Sequence, residues 1–135
     1  MEYTESDEGF LQDFDLSRLH SLQSIEVTAS QTCADAPLLR DIFFTITSPV
    51  FSEIVLVFRR TELFRPYHIP FETFREMYSK RKFRLVFCLE VLKKYRNVGL
   101  NVMRRRMDLE IARKRLDFLA SPPTLAIRER NFWKS

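Results

Sequence analysis

The sequence predicts a single α/β domain of short, irregular repeats, in which each parallel strand is followed by a crossover helix. Three observations predict this fold. Three apolar segments share one spacing, the stretches between them have helical periodicity, and the length of 135 residues suits one domain with one core. Because strands that alternate with helices are joined by right-handed crossovers, we expect about three parallel strands in one sheet.

The three predicted strands share a pattern of apolar residues. In each segment a first apolar residue is followed three positions later by a second, and two positions after that by a third, which suits a strand that faces a core. Successive segments are offset by 29 and then 32 residues. We expect strands near residues 24–29, 53–58 and 84–91. The pattern positions are Leu22, Ile25 and Val27, then Phe51, Ile54 and Leu56, then Phe83, Val86 and Cys88.

Two helices are predicted between these strands. The first is capped by Asp35, has Pro37 in its first turn and ends near Ser48-Pro49. The second begins at Pro70 and separates an apolar face from a charged face. The apolar positions are Leu38, Leu39, Ile42, Phe43 and Ile46 in the first helix, and Phe71, Phe74, Met77 and Tyr78 in the second.

The amino-terminal part of the chain differs from this repeating part. Residues 1–15 are acidic and polar, and we expect them to form a disordered segment. Leu16, Leu19 and Leu22 then recur every three residues. This spacing fits a short helix or a truncated first repeat, and we favour the truncated repeat.

The carboxy-terminal part predicts a helix and a tail. Residues 92–119 are rich in helix formers and predict a long amphipathic helix, continuous or broken at Gly99. Pro122 and Pro123 stop it, because proline cannot continue the hydrogen-bond ladder. The domain is therefore placed at residues 16–123, and residues 124–135 are expected to be a tail. Phe132 and Trp133 are candidates for docking back onto the domain.

The segments LSRLHSLQSIEV and FSEIVLVF resemble the leucine-rich-repeat pattern, in which every repeat adds one parallel strand and one helix to a curved solenoid. The turn position that usually holds Asn or Cys is not clearly filled. Two further segments, LLRDIFFTITSPVFSEIVLVF and LDFLASPP, extend the resemblance. Through them, roughly residues 16–123 are similar to the carboxy-terminal half of fungal F-box-type proteins. In that family an amino-terminal F-box joins a ubiquitin-ligase scaffold and the repeats bind a substrate. No Leu-Pro-initiated helical module precedes the first repeat, so the resemblance implies partner binding alone.

The composition argues against several classes of protein. No basic region followed by an apolar one begins the chain, so no secretory signal is expected. The longest charge-free apolar stretch, residues 42–52, is too short to span a bilayer. Cys33 and Cys88 fit buried, reduced thiols better than a disulfide. We therefore expect a soluble, intracellular protein of the cytoplasm or the nucleus.

The residue types that carry chemistry are scattered. His20 and His68 have no Cys, His, Asp or Glu at metal-ligand spacing, and the two glycines cannot build a phosphate-binding loop. The acidic side chains of the amino-terminal segment have no rigid scaffold to hold them for acid–base work. The sequence therefore predicts a protein that is not an enzyme, with no catalytic residue, metal or cofactor.

The strongest candidate for a binding site is the predicted carboxy-terminal helix. Residues 93–115 carry nine basic and two acidic side chains, a local charge of +7 within a chain whose net charge is +4. Nucleic acid, an anionic membrane surface or an acidic protein could each be the partner of such a helix. The candidate contact residues are Arg104, Arg105, Arg106, Arg113, Lys114 and Arg115.

Two other interpretations of this helix remain open. A charge-rich helix at the end of a domain is commonly a solvated outer face, and residues 1–35, with a charge of −7, could fold onto it. The sequence favours a non-catalytic protein-interaction domain with an unknown protein partner, a substrate-binding remnant of an F-box-type adaptor. The alternative is a nucleic-acid- or anion-binding domain that uses the basic helix, and a degenerate fragment without a function is the third hypothesis.

Overall fold

The computed structural model describes residues 18–59 and 69–130, and within them it is an α/β fold with one four-stranded parallel sheet. The predicted disordered segment 1–15, His68, Phe132 and Trp133 lie outside the described residues. The strands are β1 (Ser24–Thr28), β2 (Glu53–Arg59), β3 (Arg84–Leu92) and β4 (Thr124–Arg130). The helices are α1 (Ala29–Ala34), α2 (Ala36–Phe43), α3 (Phe71–Lys80) and α4 (Arg96–Ala112), with a 3₁₀ turn at Lys93–Tyr95.

The strands are parallel and follow the chain order β1-β2-β3-β4. Alternate side chains of neighbouring strands form rows across one face, such as Ile25, Ile54 and Leu85. These rows join one apolar core to which every helix contributes buried side chains. The helices α1 to α4 therefore pack on the same face of the sheet. Their core residues are Ala29, Leu39, Ile42, Phe43, Phe71, Phe74, Met77 and Met103.

Aromatic rings fill the space between this face and the helices. Phe43 on α2 makes edge-to-face contacts with Phe51 and Phe83, at centroid distances of 5.7 and 5.6 Å. At the other end of the core, the ring of Phe87 packs against Phe58 and Phe71. Aromatic pairs in these geometries each add about 0.5 to 1.5 kcal/mol beyond the area that they bury. The phenylalanines thus tie the helices to β2 and β3.

The predicted register of the third strand is wrong by one residue. The sequence pattern placed Val86 and Cys88 toward the core, but Leu85 and Phe87 pair with Ile54 and Leu56 and occupy the core rows. The true offset between β2 and β3 is thus 31 residues, since residue 85 pairs with residue 54. Because β3 is apolar on both faces, its periodicity does not distinguish the two registers, and a slip of one residue exchanges the faces.

The chain following the long helix forms a strand where a tail was predicted. Residues 124–130 form β4, which pairs along its length with β3 and sets Leu125 and Ile127 against the core. The proline pair directly precedes β4 and does not end the helix as predicted, because the helix already ends at Ala112. The charged residues Arg128, Glu129 and Arg130 hide the strand in the sequence. Within residues 18–59 and 69–130 the sheet therefore has four strands, one more than the sequence predicted.

Near the amino-terminal end of the described part, two further local expectations differ from the structure. Residues 18–23 contain no strand, so a truncated first repeat is not seen there, although Leu22 is buried in the core. The short helix α1 follows β1 directly because Thr28 and Gln31 form a reciprocal capping box. Asp35 precedes α2 as expected, but its side chain makes no capping hydrogen bond.

The long helix α4 is shorter than predicted at both ends. It is continuous through the buried Gly99 and ends at Ala112. The amides of Lys114 and Arg115 donate to the carbonyls of Ile111 and Glu110, which forms a Schellman motif. Lys114 has a φ of 60°, in the left-handed region that usually requires glycine at this position. Residues 113–115 therefore lie beyond the helix on which the sequence analysis placed them.

We predict that Phe87→Ala lowers the free energy of unfolding by about 3 to 5 kcal/mol, because a large core ring is lost. The control is Val86→Thr, a change of similar volume on the opposite face, which should cost less than Phe87→Ala because it leaves no large cavity and Val86 lines the open concavity. Urea denaturation followed by circular dichroism measures both. If Val86→Thr proved the more destabilising substitution, the register of β3 described above would be incorrect.

We predict that Lys114→Gly raises the free energy of unfolding by about 1 kcal/mol, because glycine adopts the left-handed conformation without steric strain. Arg113→Gly is the matched control, since Arg113 has a φ of −78° and should gain nothing. Thermal unfolding of the two variants beside the unchanged protein tests the difference. An equal effect of both substitutions would contradict the Schellman geometry.

Candidate functional site

The face of the sheet opposite the helices is the candidate site, and we call it the open face. Parallel sheets usually carry helices on both faces, but here α1 to α4 all pack on the other side. The register of the four strands defines which side chains point to the open face. They are Ser24, Glu26, Thr28, Glu53, Val55, Val57, Arg59, Arg84, Val86, Cys88, Glu90, Leu92, Thr124, Ala126, Arg128 and Arg130.

A concavity of about 450 Å³ lies on the open face. Its centre is apolar because Val55, Val86 and Ala126 come from three neighbouring strands. Hydroxyl groups and charged side chains surround this centre, and all four strands contribute to the lining. The remaining lining residues are Ser24, Glu26, Glu53, Cys88, Thr124, Ile127 and Arg128.

One ion pair crosses the whole sheet. Arg128 on β4 donates from Nη1 and Nη2 to the two carboxylate oxygens of Glu26 on β1, at 2.6 and 2.7 Å. In a flat sheet these strands would lie roughly 14 Å apart, and the two residues are also offset along the strands by about 13 Å. A bidentate contact over that span requires that the sheet twist and curl toward the open face. The ion pair can therefore form only because this face of the sheet is concave.

The same ion pair perturbs the arginine. The hydrogen bonds that Arg128 donates to Glu26 raise the pKa of its guanidinium above the ordinary value, against the opposing effect of partial burial. The charges of Glu26, Cys88 and Glu90 act in the same direction as the hydrogen bonds. A raised pKa stabilises the folded state at every pH below the ordinary pKa of arginine, and the effect is lost only above it. Arg128 thus stays charged throughout the neutral range.

Near the carboxyl ends of the strands, Glu90 is surrounded by arginines. Its oxygens lie 3.4 Å from Nη1 of Arg128, 3.4 Å from Nη1 of Arg130 and 3.7 Å from Nε of Arg59. At the amino ends, Arg84 contacts Glu53 at 3.3 Å. The open face therefore has valine side chains at its centre, the Arg128–Glu26 pair beside them and further charged groups at both ends, an arrangement suited to holding a ligand by shape and charge.

The six basic residues predicted as a binding site do not form one surface. Arg104, Arg105, Arg113 and Lys114 are exposed. Arg106 instead lies over the ring of Phe58, 5.7 Å from its centroid. Arg115 also turns inward, where it donates to the carbonyl of Ile69 at 2.8 Å, pairs with Glu110 at 3.0 Å and lies over Phe71. Four of the six basic side chains are therefore exposed and could contact an external partner.

The cysteines and the described histidine do not come together. Cys88 is buried on the open face, whereas Cys33 is exposed, contrary to the prediction that both are buried, and neither forms a disulfide. His20 is exposed at the start of the described chain. Among residues 18–59 and 69–130 there is no group of three or more His, Cys, Asp or Glu residues able to hold a metal ion. In the same ranges no helix is long and apolar enough to cross a membrane.

Sequence reasoning missed the residues of the open face. Glu26 and Glu90 each stand between apolar residues within a strand, in IEV and LEV, and a charged residue at such a position must find a partner when the strand is buried. That signal could have marked both carboxylates. Their partner Arg128 could not be assigned, because it lies in a segment that was not recognised as a strand.

Comparisons with known proteins give this arrangement no family. No family model, no curated protein and no solved structure matches the chain. The resemblance to leucine-rich-repeat and F-box-type proteins therefore remains a prediction from the sequence.

We predict that Arg128→Gln lowers the free energy of unfolding by about 2 kcal/mol, because it leaves the buried Glu26 carboxylate without its charged donor. The double variant Glu26→Gln/Arg128→Gln should cost less than Arg128→Gln alone, since no buried charge is left unpaired. Arg96→Gln, in the exposed pair with Glu129, is the control and should change stability by less than about 1 kcal/mol.

Urea denaturation at neutral pH gives all of these free energies. Additive costs of the Glu26→Gln and Arg128→Gln substitutions would show that the two side chains are not coupled, and would remove the ion pair from the description of the open face.

Proposed function

We propose that this protein is a non-catalytic protein-interaction domain that binds its partner on the open face. The observation that carries the proposal is the concave sheet face opposite the helices, whose concavity combines apolar side chains with hydroxyl and charged groups. Curved repeat proteins use concave surfaces of this kind to bind other proteins. The proposal agrees with the sequence resemblance, because the repeats of F-box-type proteins bind a substrate. It includes the hypothesis raised by that resemblance, that this domain is a substrate-binding remnant of such an adaptor.

The distribution of side chains supports binding over catalysis. The polar groups of the open face are mostly arginine and glutamate side chains that pair with one another, as Arg128 does with Glu26. Paired charges hold a surface in shape and orient a partner, whereas general acid–base work needs a titratable group poised near the working pH. Cys33 and Cys88, which form no disulfide, fit a reducing compartment, and we propose the cytoplasm or the nucleus as the location.

The alternative function is binding of nucleic acid or another polyanion by the basic residues at and beyond α4. The exposed side chains of Arg104, Arg105, Arg113 and Lys114 support it. The inward contacts of Arg106 and Arg115 reduce the charge that this surface offers to phosphate groups. Salt separates the two functions, because contacts to phosphates weaken steeply with ionic strength and apolar contacts do not.

The test is recovery of partners from an extract of the protein's own cells with the unchanged chain and two variants. Ala126→Trp fills the concavity from an exposed position, and Ala112→Trp places the same side chain at the exposed end of α4. We expect discrete proteins that bind the unchanged chain and Ala112→Trp but not Ala126→Trp. A photo-crosslinking residue at position 126, and not one at position 112, should form adducts with the same proteins.

A different result would redirect the proposal. If Ala126→Trp retained all bound proteins, the open face would not be the binding surface. If only nucleic acid were recovered, and it were lost at high salt and in the Arg104→Ala/Arg105→Ala variant, the alternative function would replace the one proposed.

A further inference from the structure

The ion pairs of the open face expose their arginines and bury their carboxylates. The side chain of Arg84 is 67% exposed and that of its partner Glu53 is 28% exposed. For Arg128 and Glu26 the values are 44% and 7%. Arg59 and Arg130 are likewise more exposed than Glu90, which lies between them. A molecule that approaches this face therefore meets guanidinium groups at both ends of the strands.

On the helical side the order is mixed, since Arg96 and Arg115, at and beyond α4, are more exposed than their partners Glu129 and Glu110. Arg75 on α3 is 44% exposed while its partner Glu72 is 79% exposed. Arg40 on α2 is also less exposed than its partners Asp41 and Glu76. The arginine is thus the more exposed partner in all the ion pairs given above for the open face, but only in some pairs of the helical side. Four arginines and three glutamates lie on the open face, and the glutamates are the more buried, which makes this surface complementary to negative charge.

The spacing of the arginines limits the size of the ligand. Arg84 is at the amino end of β3, and Glu90, around which Arg59, Arg128 and Arg130 gather, is six residues further along the strand. Six residues of strand correspond to roughly 20 Å. Val55, Val86 and Ala126 form the apolar floor between Arg84 at one end and these arginines at the other, and the Glu26–Arg128 pair borders this floor. An extended chain of about the same number of residues would reach from one end to the other.

We propose that the ligand of the open face is a protein segment that carries carboxylate side chains on both sides of an apolar side chain. This inference rests on the proposed function and names the chemistry of the partner. The carboxylates would receive paired hydrogen bonds from guanidinium groups, whose fork geometry matches them. The apolar side chain would enter the concavity. The partner segment binds in an extended conformation, so that its alternate side chains face the sheet.

Nucleic acid fits this face less well. Phosphate groups also accept hydrogen bonds from arginine, but proteins that bind single strands stack the bases on aromatic side chains. The side chains that define the open face include no aromatic residue. The apolar floor instead suits an aliphatic or aromatic side chain of a protein.

The experiment is selection of short random peptides displayed on phage against the full chain, followed by fluorescence anisotropy with the enriched peptides. We expect enriched sequences with an excess of Asp and Glu on both sides of an apolar residue.

Arg84→Gln and Arg130→Gln should each weaken binding about tenfold, the equivalent of one charge-assisted hydrogen bond. Arg40→Gln, on the helical side, is the matched control and should leave the affinity unchanged. Raising NaCl from about 50 mM to about 500 mM should weaken binding only in part, because the apolar contact in the concavity is not screened by salt. Urea denaturation of each variant confirms that it folds.

The outcomes separate this inference from the proposed function. If the enriched peptides had no excess of Asp and Glu but lost affinity for the Ala126→Trp variant, the acidic partner would be overturned and the proposed function would stand. Peptides indifferent to Ala126→Trp, Arg84→Gln and Arg130→Gln would overturn both. A single-stranded oligonucleotide that binds more tightly than the peptides and is weakened by Arg84→Gln would assign the face to nucleic acid and overturn the inference.

Discussion

The parallel pairing of four strands in chain order is the constraint on which the rest of this structure depends. Right-handed connections between strands that succeed one another in the same direction place all their helices on one side of the sheet. The core therefore forms between one face and the helices, with rings such as Phe43 and Phe87 at its centre. The other face is left without a helical layer in the described part of the chain, and the properties of the candidate site follow from that.

A sheet face without a helical layer must still satisfy its buried polar groups. Glu26 is buried on β1, and its charge is matched by Arg128, three strands away. The pair joins the two outer strands of the sheet across β2 and β3, and its span requires the sheet to curl. The same contact thus contributes to stability, to the concave shape of the open face and to the position of a guanidinium group beside the concavity. A change in this pair would alter all three.

The two sides of the molecule differ in what they offer to a partner. The helical side has exposed carboxylates on α2 and α3, and exposed arginines such as Arg104 and Arg105 on α4. The open face combines exposed arginines with an apolar floor. A net charge of +4 does not reveal this division, because the sum hides which charges are paired and which side chains reach the solvent. The proposed functions differ in which side they use, so substitutions on one side serve as controls for the other.

The sequence by itself determined the fold class, the parallel strands β1 to β3 and the helices α2 and α3, because apolar periodicity and proline positions are local signals. Only the tertiary structure decided the register of β3, the strand β4 and the inward turn of Arg106 and Arg115. It also brought Arg128 to Glu26, 102 residues apart in the chain. These features depend on pairing between distant segments, and the type of a residue does not indicate which distant residue it will meet. The fold was therefore readable from the sequence, whereas the candidate site was not.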